Sequence, residues 1–437
     1  MENAREVKEI EKALGTPVAG NGLLHRRAFL HGGVLAAGAG AAIAGAATGA
    51  AKAADAIGAS SPTWMRSPGA VMSGYGRPSE WENEIQRIFG LVPGREPTGS
   101  SRTPLHLLEG TITPNGLHFE RHHNGVPAID PARHELLIHG MVERPLVFTR
   151  ETLLRYPMET HIRFVECSGN SGGASRPPEP RQITAGQIHG LLSCSEWTGV
   201  KLSTLLDEAG LDPAAAWVAA EGADAAGMVR SVPLDKCMDD AVIALFQNGE
   251  AIRPEQGYPM RLLLPGFEGN ANVKWVRTLK VMSGPAQARD ETSKYSDLLP
   301  SGKAVQFTLE LAPKSVILKP SFGLIMQGPG FYEISGIAWA GSGRVSRVEI
   351  SADGGASWAN AALSGPVMPK ALTRFRLPWQ WNGGSATLMS RTFDEAGNTQ
   401  PMRDDWLARY GPRHNYHYNA IQAWGVGTGG AVSNVYV

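Results

Sequence analysis

The strongest constraint on this chain is residues 164–173, which read Phe-Val-Glu-Cys-Ser-Gly-Asn-Ser-Gly-Gly. Ile162, Phe164 and the β-branched Val165 form a short apolar run typical of a buried strand. From Ser168 to Gly173 the residues carry almost no side-chain bulk. The pattern predicts a strand that ends at Cys167, with the thiol facing a space kept clear. An accessible sulfur with a stabilised negative charge serves as a nucleophile, a redox thiol or a metal ligand. A buried structural cysteine is the common fate of a free thiol, so this stretch alone leaves all four uses open.

Across 437 residues, 41 Lys and Arg balance 41 Asp and Glu. A neutral balance argues against a nucleic-acid partner, which needs a concentrated basic surface to neutralise phosphates. The length suggests two or three domains. Three cysteines are too few for a disulfide framework, and Cys167, Cys194 and Cys237 lack the paired spacing of zinc or iron-sulfur sites. Cys194 and Cys237 are expected as buried thiols. No Cys-x-x-Cys-His occurs, so no haem is expected on this chain.

Residues 1–53 read as an address rather than as fold. His25-Arg26-Arg27-Ala28-Phe29-Leu30 precedes an Ala/Gly-rich apolar run over 32–47 and the small triplet Ala51-Lys52-Ala53. This resembles a twin-arginine export signal, which implies a periplasmic protein exported already folded, often around a cofactor. As an anchor the run is short of the ~20 strongly apolar residues that a span needs. No membrane span is expected in the mature form.

Residues 54–104 are rich in Pro, Gly and Ser and read as a wrapping arm. One helical patch is expected over 79–89, capped by Ser79, with Trp81, Ile85, Ile88 and Phe89 at helical spacing. From 105 to 299 the pattern is mixed α and β. Strands are expected over 111–119, 135–142, 242–246, 260–264 and 279–282, with turns at Asn248-Gly249 and Pro265-Gly266. Short helices are expected after the cap Thr149 and on the face made by Leu202, Leu205, Leu206 and Ala209, closed by Gly210. Residues 300–437 turn to Gly-punctuated strands at 331–339, 345–351, 373–377 and 386–393, without a helix, as in a β-sandwich. The aromatic and His-rich tail, 410–418, either lines the entrance of a site or packs that sandwich, and packing is the favoured expectation.

Four separated stretches resemble one family, the sulfite oxidase-type molybdenum enzymes. Phe119-Glu120-Arg121-His122-His123, before Val126-Pro127, is similar to the family's Phe-x-Arg-x-His segment. Cys167-Ser-Gly-Asn170 is similar to its Cys-x-Gly-Asn loop. Glu221-Gly-Ala-Asp224 and the run from Gly257 through Arg261 to Asn272-Val273-Lys274-Trp275 resemble its pterin-binding stretches, and 331–358 its dimerisation sandwich. The resemblance implies an α+β fold: a mixed α/β molybdopterin domain followed by an immunoglobulin-like sandwich through which the chain self-associates. It implies molybdenum-molybdopterin (Moco) with Cys167 as the protein ligand, a soft thiolate suited to a redox metal. Arg261, Lys274 and the amides around Asn272 and Val273 would take the cofactor phosphate. Asp224 would accept from the pterin edge, His123 would lie nearby, and Tyr295 corresponds either to the family's active-site tyrosine or to a linker tyrosine packing between domains.

Departures narrow the function. Typical sulfite oxidases follow the cysteine loop with arginines that grip sulfite, whereas Ser171 and Gly172 stand here, and Gln256 replaces a histidine. Arg121 is then expected as the main remaining cation of the substrate pocket, and the pocket as larger. This pattern resembles sulfane dehydrogenases of the bacterial sulfur-oxidising system, the SoxC-type subunit. It implies oxidation of sulfane sulfur on the cysteine of a carrier protein (SoxYZ-like), and electron transfer to a c-type cytochrome subunit (SoxD-like). A sulfite dehydrogenase, a methionine-sulfoxide-reducing relative and a non-catalytic binding subunit are the competing readings; the sandwich speaks against the second of these.

Overall fold

Apolar pattern and turn chemistry place the central strands where expected. In the computed structural model, which describes residues 17–25, 63–91, 94, 98–175, 177–412, 414 and 416–437, strand Met158–Glu166 pairs antiparallel along its length with Leu192–Lys201. Val242–Gln247 lies on the far side of Leu192–Lys201 and also pairs with Arg261–Leu263. A second sheet runs Val229–Pro233, Trp217–Gly222, Val276–Met282, Glu135–Gly140, Leu146–Thr149, with Val276–Met282 parallel to Glu135–Gly140. Leu136 and Ile138 of one sheet and Ile243 and Leu262 of the other share one core. Helix Leu202–Ala209 adds Leu202, Leu205, Leu206 and Ala209, all fully buried, and ends at Gly210 with φ 72°.

Beyond residue 300 two sheets stack face to face. Lys314–Lys319, Gly330–Trp339 and Thr373–Trp381 form one; Val345–Ser351, Ala386–Asp394, Ala423–Val426 and Val432–Val435 form the other. Trp339, Trp379, Trp381 and Trp424 fill the space between them, each with its indole N–H bonded to an oxygen, as burial of that donor requires. The fold is α+β, as the sequence implies.

Four local expectations fail. The arm folds into a 3-10 turn at Glu80–Glu82 rather than a helix over 79–89, and Ile88–Leu91 is a strand paired with Gly99–Arg102. Trp81 and Phe89 stay exposed, so nothing supplies the packing a helix this short depends on. Residues 111–119 carry a 3-10 turn at Asn115–Leu117 where a strand was expected, since Pro114 has no N–H for a ladder. A helix does occur after residue 300: Arg403–Tyr410 buries Trp406 alone, too narrow a face for periodicity to show. Finally, part of 1–53 is built into the fold. Pro17–Ala19 and Leu23–Leu24 form a hairpin whose Leu23, fully buried, pairs with Trp379. The remainder of the expected export signal lies outside the described residues.

The two domains meet through backbone and a buried charge. Gly266, φ 80°, packs so closely on Gly341 that a Cβ would stand 2.1 Å from the Gly341 carbonyl. Glu166, directly before Cys167, accepts from Lys314 Nζ at 3.1 Å and from Trp339 Nε1 at 2.6 Å, both from the sandwich. Losing one partner of a buried ion pair costs about 3–5 kcal/mol. Lys314→Met is therefore expected to lower unfolding free energy by that amount, and the Glu166→Gln/Lys314→Met pair to recover more than half of it in denaturant titrations. Equal loss in both variants would mean that the pairing does not hold the domains.

Candidate active site

Cys167 sits one residue past the end of its strand, half-buried, on a loop that Asn170 ties down. The Asn170 amide donates to Glu166 Oε1 and to the His189 carbonyl, both at 2.9 Å, and its oxygen accepts from the Leu191 N–H at 3.1 Å. Gly269 N–H donates to the Glu166 carbonyl, and a Cβ at Gly269 would stand 3.2 Å from Cys167 Cα, so only glycine lets the 265–272 loop lie against the cysteine. Ser171, in left-handed conformation with φ 68°, turns inward. Its hydroxyl accepts from Lys314 Nζ at 2.8 Å and donates to His189 Nδ1 at 2.7 Å. At 4% exposure the residue that stands in the arginine position leaves the space before Cys167 open.

That space is a cavity into which the expected residues converge. Phe119, Arg121, His122 and His123 come from the segment ending in strand Glu120–His122; Asp224 follows strand Trp217–Gly222; Gln256, Arg261, Asn272, Val273 and Lys274 come from the loops around Arg261–Leu263; Tyr295 closes the wall. Glu120 does not line it. Its carboxylate points the other way, pairing with Arg87 and accepting from His122 Nε2 at 2.7 Å, and so orients the neighbouring histidine. His118, Gly222, Met228, Asn270 and Trp275 also line the cavity. Asn270 stands within the same quoted run and was legible there, whereas the inward turn of His118 depends on the 3-10 turn that replaced the expected strand.

Two basic side chains of the cavity wall have, among the described residues, no carboxylate partner within bonding distance. Lys274 donates to the carbonyls of Arg121 and Glu255 and to His122 Nδ1 at 2.9 Å. Arg261 donates to the carbonyls of Gln256 and Asn272, both at 3.1 Å, and its Nε has no partner. Burial, with Arg261 adding repulsion, pushes the Lys274 ammonium well below its ordinary range, and burial lowers Arg261 to about 10. Cations held this way lack an anion. Among the described residues no three His, Cys, Asp or Glu converge to cage a bare metal ion. One thiol, two basic side chains with no bonded carboxylate, the Asp224 acceptor and, among the described residues, unpartnered Arg261 Nε and Asn270 Oδ1 fit a metal that brings its own organic, phosphate-bearing ligand.

Nearer the opening, donors settle the proton positions. An arginine only donates, so Arg121 Nη2, 3.5 Å from His123 Nδ1, makes that nitrogen the acceptor. His123 Nε2–H then donates to the Tyr295 hydroxyl at 3.0 Å, leaving the phenolic proton free. Burial holds the Tyr295 pKa well above its ordinary value, so the hydroxyl stays protonated.

A second, wider cavity of about 700 Å³ opens in front of Cys167. Its wall corrects the expectation that Arg121 is the main cation there: Arg102, Arg289 and Lys294 line it as well. Tyr416 lines it too, and His417, on the same tail, has its N–H on the Ser168 carbonyl and Nε2 3.3 Å from the buried Glu268 carboxylate. The tail therefore does more than pack the sandwich, although Tyr410 and Tyr418 do pack against Trp406. Nothing in the spacing of 410–418 announces this division.

Comparison with known proteins agrees with the geometry. Residues 123–289 match the family described as oxidoreductase molybdopterin binding domain, and 305–423 the Mo-co oxidoreductase dimerisation domain. The crystal structure of the sulfane dehydrogenase SoxCD from Paracoccus pantotrophus superposes with a TM-score of 0.83 at 43% identity, over 86% of this chain and 97% of that one. Mitochondrial sulfite oxidase of Mus musculus is 29% identical over 71% of this chain and 61% of its own length. An inducible NADH nitrate reductase of Glycine max is 32% identical over 74% of this chain and 41% of its own. The chain thus spans about three-fifths of the sulfite oxidase and two-fifths of the nitrate reductase.

The histidines give the cavity an acid limit. Burial first, then nearby Arg and Lys, holds His118 and His122 down to about 3 and His123 to about 4, against 6.5. With folded values depressed, the unfolded chain takes up protons first, so stability is intact above about pH 6.5 and falls as pH drops toward 4. Thermal unfolding between pH 7 and 4 is expected to show this slope, and His118→Asn to flatten it; an unchanged slope would mean that His118 charges freely in the fold.

Proposed function

Because the chain belongs to the sulfite oxidase family of molybdenum oxidoreductases, we propose that it is a periplasmic sulfane dehydrogenase acting on sulfane sulfur bound to a carrier protein. The observation that carries this reading is the likeness to the sulfane dehydrogenase at 43% identity over 97% of that chain. Burial of Ser171 at the arginine position adds to it, because a pocket without that fork admits a larger substrate than sulfite. The Arg26-Arg27 segment and its apolar run support export, which with removal of residues 1–53 would also strip away the Pro17–Leu24 hairpin.

In this reading Cys167 is the metal's protein ligand, Lys274 and Arg261 hold the cofactor phosphate, and Asp224 accepts from the pterin edge. When bound, molybdenum-molybdopterin supplies the oxygen-transfer and two-electron chemistry. The chain's own share is placement and protons. Each oxygen added to sulfur comes from water and releases two protons and two electrons. Tyr295, protonated and braced by His123, offers its free O–H to an oxygen in the cavity. Arg121 stands beside His123 and favours negative charge there. The electrons need an outlet. With no Cys-x-x-Cys-His in the sequence, a separate c-type cytochrome subunit is the proposed acceptor, and the sandwich the self-association surface.

Cys167→Ser is expected to abolish turnover, at least about a thousandfold, while the unfolding midpoint stays within a few degrees. Oxidation of a persulfidated carrier with cytochrome c reduction as readout measures it. Substantial retained activity would refute the ligand assignment, and efficient turnover of free sulfite without a carrier would favour a sulfite dehydrogenase.

A further inference from the structure

We infer that Arg102 is a specificity-determining contact for the anionic end of the substrate, a persulfide sulfur that becomes an oxyanion as oxygens are added, supplied from a strand that precedes the molybdopterin domain. Strand Gly99–Arg102 is sandwiched between Ile88–Leu91 and Glu120–His122. Strand alternation puts Ser100 and Arg102 on one face, with Thr98 continuing it, and Ser100 stands directly opposite Arg121. These residues and Cys167 line the same cavity of about 700 Å³. Gly90, opposite Ser100, makes room for the fork: a Cβ there would stand 2.9 Å from Arg102 Nη1.

The other cations of the cavity are engaged or remote from a desolvated site. Arg289 and Lys294 are 63% and 43% exposed, and both reach the Asp290 carboxylate, at 3.4 and 3.6 Å. Arg121 gives Nη1 to the carbonyls of His122 and Gly99. Arg102 is half-buried, and among the described residues no carboxylate or carbonyl takes its guanidinium. Burial lowers its pKa while the charge of a Cys167 thiolate raises it, which places the two within electrostatic reach. A desolvated guanidinium fork without an acceptor is matched by an oxyanion, which takes two parallel charge-assisted bonds. With Ser171 turned inward, the fork comes from another strand and stands in the wider cavity, the position for an anion carried at the end of an arm rather than one enclosed on all sides.

This deepens the proposed function and rests on it for the identity of the substrate, but not for anion binding. The test uses full-length holoenzyme with matched molybdenum content: inorganic sulfate binding by calorimetry, and steady-state kinetics on persulfidated carrier. Arg102→Met is expected to weaken sulfate binding and raise KM by about tenfold or more, the worth of a charge-assisted bond, with kcat changed less than about threefold. Arg102→Lys should recover part of this, since it keeps the charge without the fork. Sulfate affinity and KM within about twofold of wild type in Arg102→Met, or full recovery by lysine, would overturn the contact. Should Arg102→Met fail to fold, Arg102→Gln reads the same quantities. If wild type oxidises no carrier-bound sulfane yet loses sulfate binding in Arg102→Met, the proposed function falls and the contact stands.

Discussion

Glu166 holds this structure together at the point where it matters. A carboxylate that is 4% exposed needs its acceptor sites filled, and three donors fill them: Lys314 and Trp339 from the sandwich and Asn170 from the cysteine loop. The next residue is Cys167. The thiol's position is thus set by a charge cluster that spans both domains, while the main chain on its other side is held by the Gly269 N–H. A sandwich that matches the dimerisation family is in this way also a support for the proposed metal ligand. Its Lys314 reaches Ser171 and, through it, His189, so that the loop past the cysteine is held from below rather than from the cavity.

Much of this was legible from residues 164–173. The apolar run fixes the strand, and the small residues fix the loop. Asn170 is the member whose role needed the structure, because its partners lie at Glu166, His189 and Leu191, and only the last two come together through folding of the chain back on itself. The residues proposed to hold the cofactor were legible as an ordered set, since Asp224, Arg261 and Lys274 keep their order while the turns between them can be read from Gly and Pro. Glu120 stands apart from that set because its carboxylate is drawn to Arg87, a partner in the arm that the segment itself does not announce.

What stayed hidden has a common cause. Arg102, Tyr416 and His417 stand in segments that look like arm and tail, and each reaches the cavity or the cysteine loop only because a distant segment packs against it. The arm's helical spacing at Trp81 and Phe89 lost to strand pairing, since the aromatic stripe has no core to cover. The Pro17–Leu24 hairpin leaves no trace in the sequence because no periodicity survives in two strands of three and two residues. In each case tertiary contact decided, and local pattern did not.

The proposed function rests on one bond, between the Cys167 sulfur and a metal that arrives with its own ligand. Molybdenum-edge X-ray absorption on the purified protein and on Cys167→Ser tests it directly. The expected result is molybdenum in the wild-type protein, with one fewer sulfur neighbour in the variant. Wild-type protein produced with cofactor supply yet devoid of molybdenum, or an identical sulfur shell in both, would contradict it.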